Sequence, residues 1–138
     1  MPRTWTDSLK IGIPLLDLQH QQLLDEMDRL LEGLKTKKSD REIKSILKML
    51  DGYVAVHFRY EEGCMNNHQC PVACDNQKAH QNFVQMLTQI KGEIDTHQNF
   101  DIVANKVQKN LLDWFVNHIR ALDKQLEPLV KQNKRMVS

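Results

Sequence analysis

The sequence predicts an all-α fold: an up-down-up-down four-helix bundle preceded by an extended N-terminal leader. Three observations predict it. Apolar residues recur at steps of three and four along four stretches, each on the order of 30 Å long as a helix at 1.5 Å per residue. Short polar breaks separate the stretches, so neighbouring helices run antiparallel. Glycine (5) and proline (4) are scarce among 138 residues, which argues against a turn-rich all-β chain.

The leader covers residues 1–13 and ends at Gly12-Ile13-Pro14. Proline is tolerated in a first helical turn, where its missing N–H has no partner to lose, so Pro14 opens the first helix. Its seam is Leu16, His20, Leu23, Met27, Leu30 and Leu34. The pattern fades in Lys35-Thr36-Lys37-Lys38, cations that suit the negative end of a helix dipole. Ser39-Asp40-Arg41-Glu42 reads as a capping box, and the second seam follows as Ile43, Leu47, Leu50, Val54, His57, Glu61 and Cys64. Asn66 to Pro71 breaks the pattern, and Pro71 is expected to start the next helix. The third seam is Asn76, His80, Phe83, Leu87, Ile90 and Ile94. Thr96 to Asn99 ends it, with Asn99 or Asp101 as the next cap. The fourth seam is Val107, Leu111, Trp114 and His118, with Leu122 next in step. Pro128 stops that helix or opens a short terminal one. The expectation is a single domain over 1–138: leader about 1–13, bundle about 14–127, then a short tail.

Charge and composition exclude several classes. Lys+Arg (19) and Asp+Glu (18) nearly cancel, leaving no electrostatic footprint for nucleic acid or an anionic membrane. A mean hydropathy of -0.55 and the lack of a long uncharged apolar run argue against a membrane span. The first seven residues contain no apolar signal region, and an odd count of three cysteines does not fit a secreted disulfide framework. A reducing cytoplasm is the expected location.

The seams hold residues that a core should not. His20, His57, Glu61, His80 and His118 lie among the Leu, Ile, Val and Phe positions. Burying ionisable groups costs several kcal/mol each unless they are paired or bind metal. These five lie near the start, end, start and end of successive helices, which in an antiparallel bundle is one layer. His57 and Glu61, spaced i, i+4, point to one side of their helix. Asp123 is the sixth candidate, although on a regular helix it points about 140° away from His118. A one-residue π-bulge between His118 and Asp123 would bring its carboxylate into the layer. Four imidazoles and two carboxylates suit borderline divalent metals, and carboxylate–histidine sets projecting into a bundle are a common way to hold two irons. The competing reading is a buried hydrogen-bond network without metal, which would need many internal partners for four histidines.

At these residues the chain resembles the hemerythrins, specifically the bacterial ones. The matching pieces are Trp5 and Gly12-Ile13, Asp17-Leu18-Gln19-His20-Gln21, His57-Phe58-Arg59-Tyr60-Glu61-Glu62 and Met65. Pro71 ahead of His80, Trp114-Phe115-Val116-Asn117-His118-Ile119, Asp123 and Lys124 complete them. In this order and spacing they cover nearly the whole chain. The resemblance implies a non-haem di-iron centre with an oxo or hydroxo bridge. His20 and His57 would hold the iron with the open position, His80 and His118 the second iron, and Glu61 and Asp123 would bridge. It further implies that O2 binds end-on at one iron as a hydroperoxide, the proton coming from the bridge and not from a protein base. One position departs from the family pattern: Asn76 stands where a histidine is usual, four residues before His80. Its amide oxygen would be a weak ligand, or water would take the place. The expected consequence is a more exchangeable second iron.

The function so implied is O2 binding as a carrier, store or scavenger, without enzymatic turnover. The alternatives are an oxygen or redox sensor with a signalling partner, and a di-iron oxidase or peroxidase favoured by Asn76. The chain is expected as a monomer or weak homo-oligomer. Cys64, His68, Cys70 and Cys74 could in principle hold zinc, but their spacing is not a paired C-x-x-C, and free thiols are expected. Cys64 is read as core, Cys70 and Cys74 as exposed and oxidisable. Trp114 is read as core beside the site, and Asp17 as a partner of the ligands or a helix N-terminal charge.

Overall fold

The structure, a computed structural model, describes the backbone of residues 3–137 and side chains of residues 3–131. Met1, Pro2 and Ser138 of the expected leader and tail lie outside the described residues. The bundle helices are α1 (Pro14–Lys35), α2 (Asp40–Asn67), α3 (Ala73–Asp95) and α4. The last has three consecutive pieces: α-helix over Phe100–Lys106, π-helix over Val107–Asp113, and α-helix over Trp114–Ala121. A 3-10 turn (Asp123–Gln125) then leads into α5 (Leu126–Val137). Helix α1 packs on α2 and α4, and α3 packs on the same two, which closes a four-helix bundle. No helix among the described residues is long and apolar enough to cross a membrane.

The helices begin largely where local chemistry places them. Pro14 is the first residue of α1. The Ser39 side chain accepts the backbone N–H of Glu42 at 3.3 Å. The Asn99 side chain accepts the N–H groups of Asp101 and Ile102. Pro71 does not open α3, which starts two residues later at Ala73, because Pro71 and Val72 belong to the turn.

Three turns share one design. Lys37, Gln69 and His97 have φ of 54°, 51° and 55°, the left-handed region. In each, the following residue donates its N–H to the carbonyl five residues back: Lys38 to Gly33, Cys70 to Met65, and Gln98 to Glu93, at 2.9–3.0 Å. This closes the orphan carbonyls of the preceding helix, and it holds side chains other than glycine in a conformation that costs roughly 1–2 kcal/mol.

The seams of α1 and α3 are buried at every expected position. Two details differ in the other helices. In α2 the buried residue near the end is Met65, while Cys64 is half-buried. In α4 Phe115 is fully buried, whereas Trp114 and Leu122 are half-buried. The π-helical stretch is the physical reason: its wider turn takes an extra residue, so Phe115 occupies the inward place that a regular count gives to Trp114.

The leader crosses the bundle and is fastened to α1. Arg3 donates twice to Asp25, at 2.9 and 2.8 Å, and the backbone and hydroxyl of Thr4 both donate to Asp28. Asp17 accepts the N–H of Ile11 at 2.7 Å, so it anchors the leader and does not support a ligand. Trp5, Leu9 and Ile11 are buried in the shared core. Gly12 has φ 81°, and the Glu127 side chain of α5 fills the space where a Cβ would stand, so the leader and α5 approach closely here.

Candidate metal centre

The residues singled out on the four seams meet in one buried layer. His20 comes from α1, His57 and Glu61 from α2, Asn76 and His80 from α3, and His118 from α4. Each is 5% exposed or less, as is Asp123. Asp123 reaches the layer by a route other than the expected bulge. The helix is regular through Arg120 and Ala121, and the Leu122 N–H still donates to the His118 carbonyl. The α-helix then stops at Leu122 (φ −110°) and the chain tightens into a 3-10 turn that begins with Asp123. The break turns the carboxylate inward, and the π-helical segment lies upstream at Val107–Asp113.

The two carboxylates are shared between two pairs of imidazoles. Glu61 Oε2 lies 3.2 Å from His20 Nε2 and 3.4 Å from His57 Nε2. Glu61 Oε1 lies 3.1 Å from His80 Nε2 and 3.9 Å from His118 Nε2. Asp123 repeats the division, with Oδ2 3.1 Å from His20 Nε2 and Oδ1 3.3 Å from His118 Nε2. Two four-residue sets result, His20/His57/Glu61/Asp123 and His80/His118/Glu61/Asp123, each with donor atoms within 4.8 Å of one another.

As a dry hydrogen-bond network the layer is incomplete. An imidazole Nε2 carries one proton at most and cannot satisfy two carboxylates. His57 Nε2, His20 Nδ1, both Asp123 oxygens and Asn76 Oδ1 are buried without a hydrogen-bond partner. His80 Nε2 and His118 Nε2 face each other at 3.2 Å. Imidazole and carboxylate atoms that converge in a buried layer with their partners unmet are the pattern a bound cation satisfies. The donor set of neutral imidazole and carboxylate suits two borderline divalent ions.

Residues outside this layer prepare the donors. His57 Nδ1–H donates to Gln19 Oε1 at 2.8 Å and His80 Nδ1–H donates to Glu62 Oε2 at 3.0 Å. Each bond places a ring proton on Nδ1 and points Nε2 into the layer. Phe58 stacks on His80 at 3.7 Å, Trp114 stacks on His118 at 4.8 Å, and the buried Phe115 ring lies 5.7 Å from His20. These rings keep water from the layer and lower its effective dielectric. Gln19, Glu62, Phe58 and Phe115 stand inside the sequence motifs, yet helical spacing alone gives them no role at the site. Their signal is adjacency, since Gln19 precedes His20 and Glu62 follows Glu61.

The electrostatics follow from burial and pairing. Burial pulls the His20 imidazole down, but the adjacent Asp123 and Glu61 carboxylates outweigh it and hold it up at about 9. Burial dominates at His57 and lowers it. His80 is raised, because Glu61 and Glu62 together overcome its desolvation. Burial pushes Glu61 up, yet His20, His57 and His80 hold it well below the usual carboxylate range.

The cysteines form no second centre. All three are free: Cys64 is half-buried, Cys70 is buried, and Cys74 is exposed. Among the described residues neither metal-capable set includes a cysteine. Cys70, expected at the surface, is held inside because its N–H closes the turn onto Met65.

The chain is similar to known proteins. The family model described as the hemerythrin HHE cation binding domain matches residues 11–130. A bacteriohemerythrin of Stenotrophomonas maltophilia is 23% identical over 127 residues, 92% of this chain and 80% of its own length. One from Pseudomonas paraeruginosa is 27% identical over 84% of this chain and 73% of its own. A myohemerythrin of Sipunculus nudus is 27% identical over 88% of both chains.

Proposed function

The chain belongs to the hemerythrin family, and from that premise we propose that it binds O2 at a pair of non-haem irons, as a carrier, store or scavenger in the cytoplasm. The domain is read as one unit over residues 1–138. The observation that supports this most is the division of Glu61 and Asp123 between two imidazole pairs. A carboxylate with one oxygen toward each of two histidine pairs is placed to bridge two ions. In this reading His20 and His57 would hold one iron and His80 and His118 the other, with Glu61 and Asp123 shared between them. When bound, the iron pair supplies the two electrons that reversible O2 capture requires.

The protein's own part is preparation. Gln19 and Glu62 accept the Nδ1–H of His57 and His80 and so hold both rings with Nε2 aimed inward. Phe58 and Phe115 keep bulk water out, which disfavours loss of the bound gas in a reduced form. The three free thiols fit a reducing compartment.

The test is metal analysis with absorption spectra before and after air exposure. Two irons per chain and a spectral change that reverses on removing O2 are expected. Zinc alone, or no metal, would refute the reading. Steady consumption of peroxide with a reductant, without a reversible spectrum, would favour an enzyme instead.

A further inference from the structure

The two halves of the centre receive equal numbers of strong donors: two imidazoles and one oxygen from each shared carboxylate. A two-histidine carboxylate set leaves positions on an iron open to outside ligands. The remaining buried polar groups of the described residues are Glu26 and Asp28, which lie beside Arg29 and Thr4, and Asn76. Asn76 lies one turn before His80 and is completely buried. Its Nδ2 donates to Glu61 Oε1 at 3.2 Å, and its Oδ1 has no partner. An amide oxygen is a weak, neutral donor that an anion can displace. The second hydrogen on Nδ2 is then free to donate to whatever takes that place. A groove of about 680 Å³ between α2 and α3 is lined by Phe58, Glu62, Gln77 and His80, so solvent-borne molecules come close to this half.

We propose that the His80/His118 half carries a second exogenous-ligand position beside Asn76, which takes a small anion of the size of azide. Such a centre binds two outside ligands, one at each half. The proposal rests on the di-iron reading above, and the experiment separates the two. Iron-loaded wild type, Asn76→His and Asn76→Ala are first assayed for metal content. Each is then titrated with azide, followed by calorimetry and absorption. Wild type is expected to bind two azides per chain. Asn76→His, with an imidazole able to fill the position, is expected to keep two irons and bind one azide. Asn76→Ala leaves the position open and is expected to bind two, the second about tenfold more weakly for want of the amide hydrogen bond. One azide in wild type, or two in an Asn76→His chain that holds two irons, overturns the proposal and leaves the di-iron reading standing. If Asn76→His does not take up two irons, Asn76→Ala decides, and loss of its second azide overturns the proposal. Fewer than two irons in wild type refutes the di-iron reading and this position with it.

Discussion

Glu61→Gln separates a metal centre from a dry hydrogen-bond network. The change keeps the side chain's shape and removes its charge. In the parent chain the Glu61 oxygens lie 3.1–3.4 Å from the Nε2 atoms of His20, His57 and His80, all buried. Removing one partner of such a buried set costs about 3–5 kcal/mol. An unfolding entropy of roughly 2.1 cal/mol/K per residue gives about 0.29 kcal/mol/K for 138 residues, so the metal-free Tm should fall by about 10–17 °C. Metal adds a second effect. A site filled at a thousand times its Kd stabilises the fold by about 4 kcal/mol, or roughly 14 °C on the same scale. The wild type should therefore lose about that much on chelation, while the variant, without a charged bridge, should lose little. The assay is calorimetric melting of both proteins with anaerobic iron(II) and with a chelator. Equal chelator shifts in the two proteins would refute a bridging role for Glu61. A wild-type Tm indifferent to the chelator would refute the metal centre altogether.

Three further outcomes are expected. In the metal-free chain His20 keeps its proton up to about 9 and His80 is also raised, so an arriving ion must displace those protons. Apparent metal affinity should climb about tenfold per pH unit for each proton displaced, until His20 is neutral. An indicator dye in weak buffer should record proton release on loading, and a null signal would contradict it. Burial raises the Glu26 carboxyl, and Arg29 offsets this only in part. A raised folded pKa favours the fold at low pH, and that advantage is lost as pH rises through the folded value. Glu26→Gln should thus raise Tm at neutral pH, with the gain vanishing towards about pH 4. A lower Tm at neutral pH would count against this. Gly12→Ala forces a side chain into the left-handed region and onto Glu127. A cost of about 1–2 kcal/mol predicts a Tm lower by roughly 3–7 °C, and an unchanged melt would show that neither the left-handed backbone nor the close approach of Glu127 constrains this position.

The legible features were those set by short spacings. His57 with Glu61, and Asn76 with His80, are i, i+4 pairs, so one helical geometry places both members. Ser39 and Asn99 cap because their oxygens reach N–H groups only two or three residues away. The features that escaped depend on contacts far along the chain or on registers the sequence leaves degenerate. Leu111-Leu112 and Trp114-Phe115 are adjacent apolar pairs. Either member can face inward, so the pattern fits an α or a π turn equally well, and packing selected the latter. Cys64-Met65 has the same ambiguity, resolved in favour of Met65. Asp123 was expected inside through an extra residue in a helix, and it arrives through the end of that helix.

By itself the sequence determined that four amphipathic helices must pack together and that their histidines and carboxylates fall at matching heights. Helical period and short connections leave no other inexpensive arrangement for those side chains. Only the tertiary structure decided which oxygen faces which imidazole, that Asp17 fastens the leader, and that Asn76 is buried with a bare amide oxygen. Periodicity specifies the direction of a side chain to about a quarter of a turn. Hydrogen bonds and coordination depend on tenths of an ångström, which are set by how all four helices pack at once.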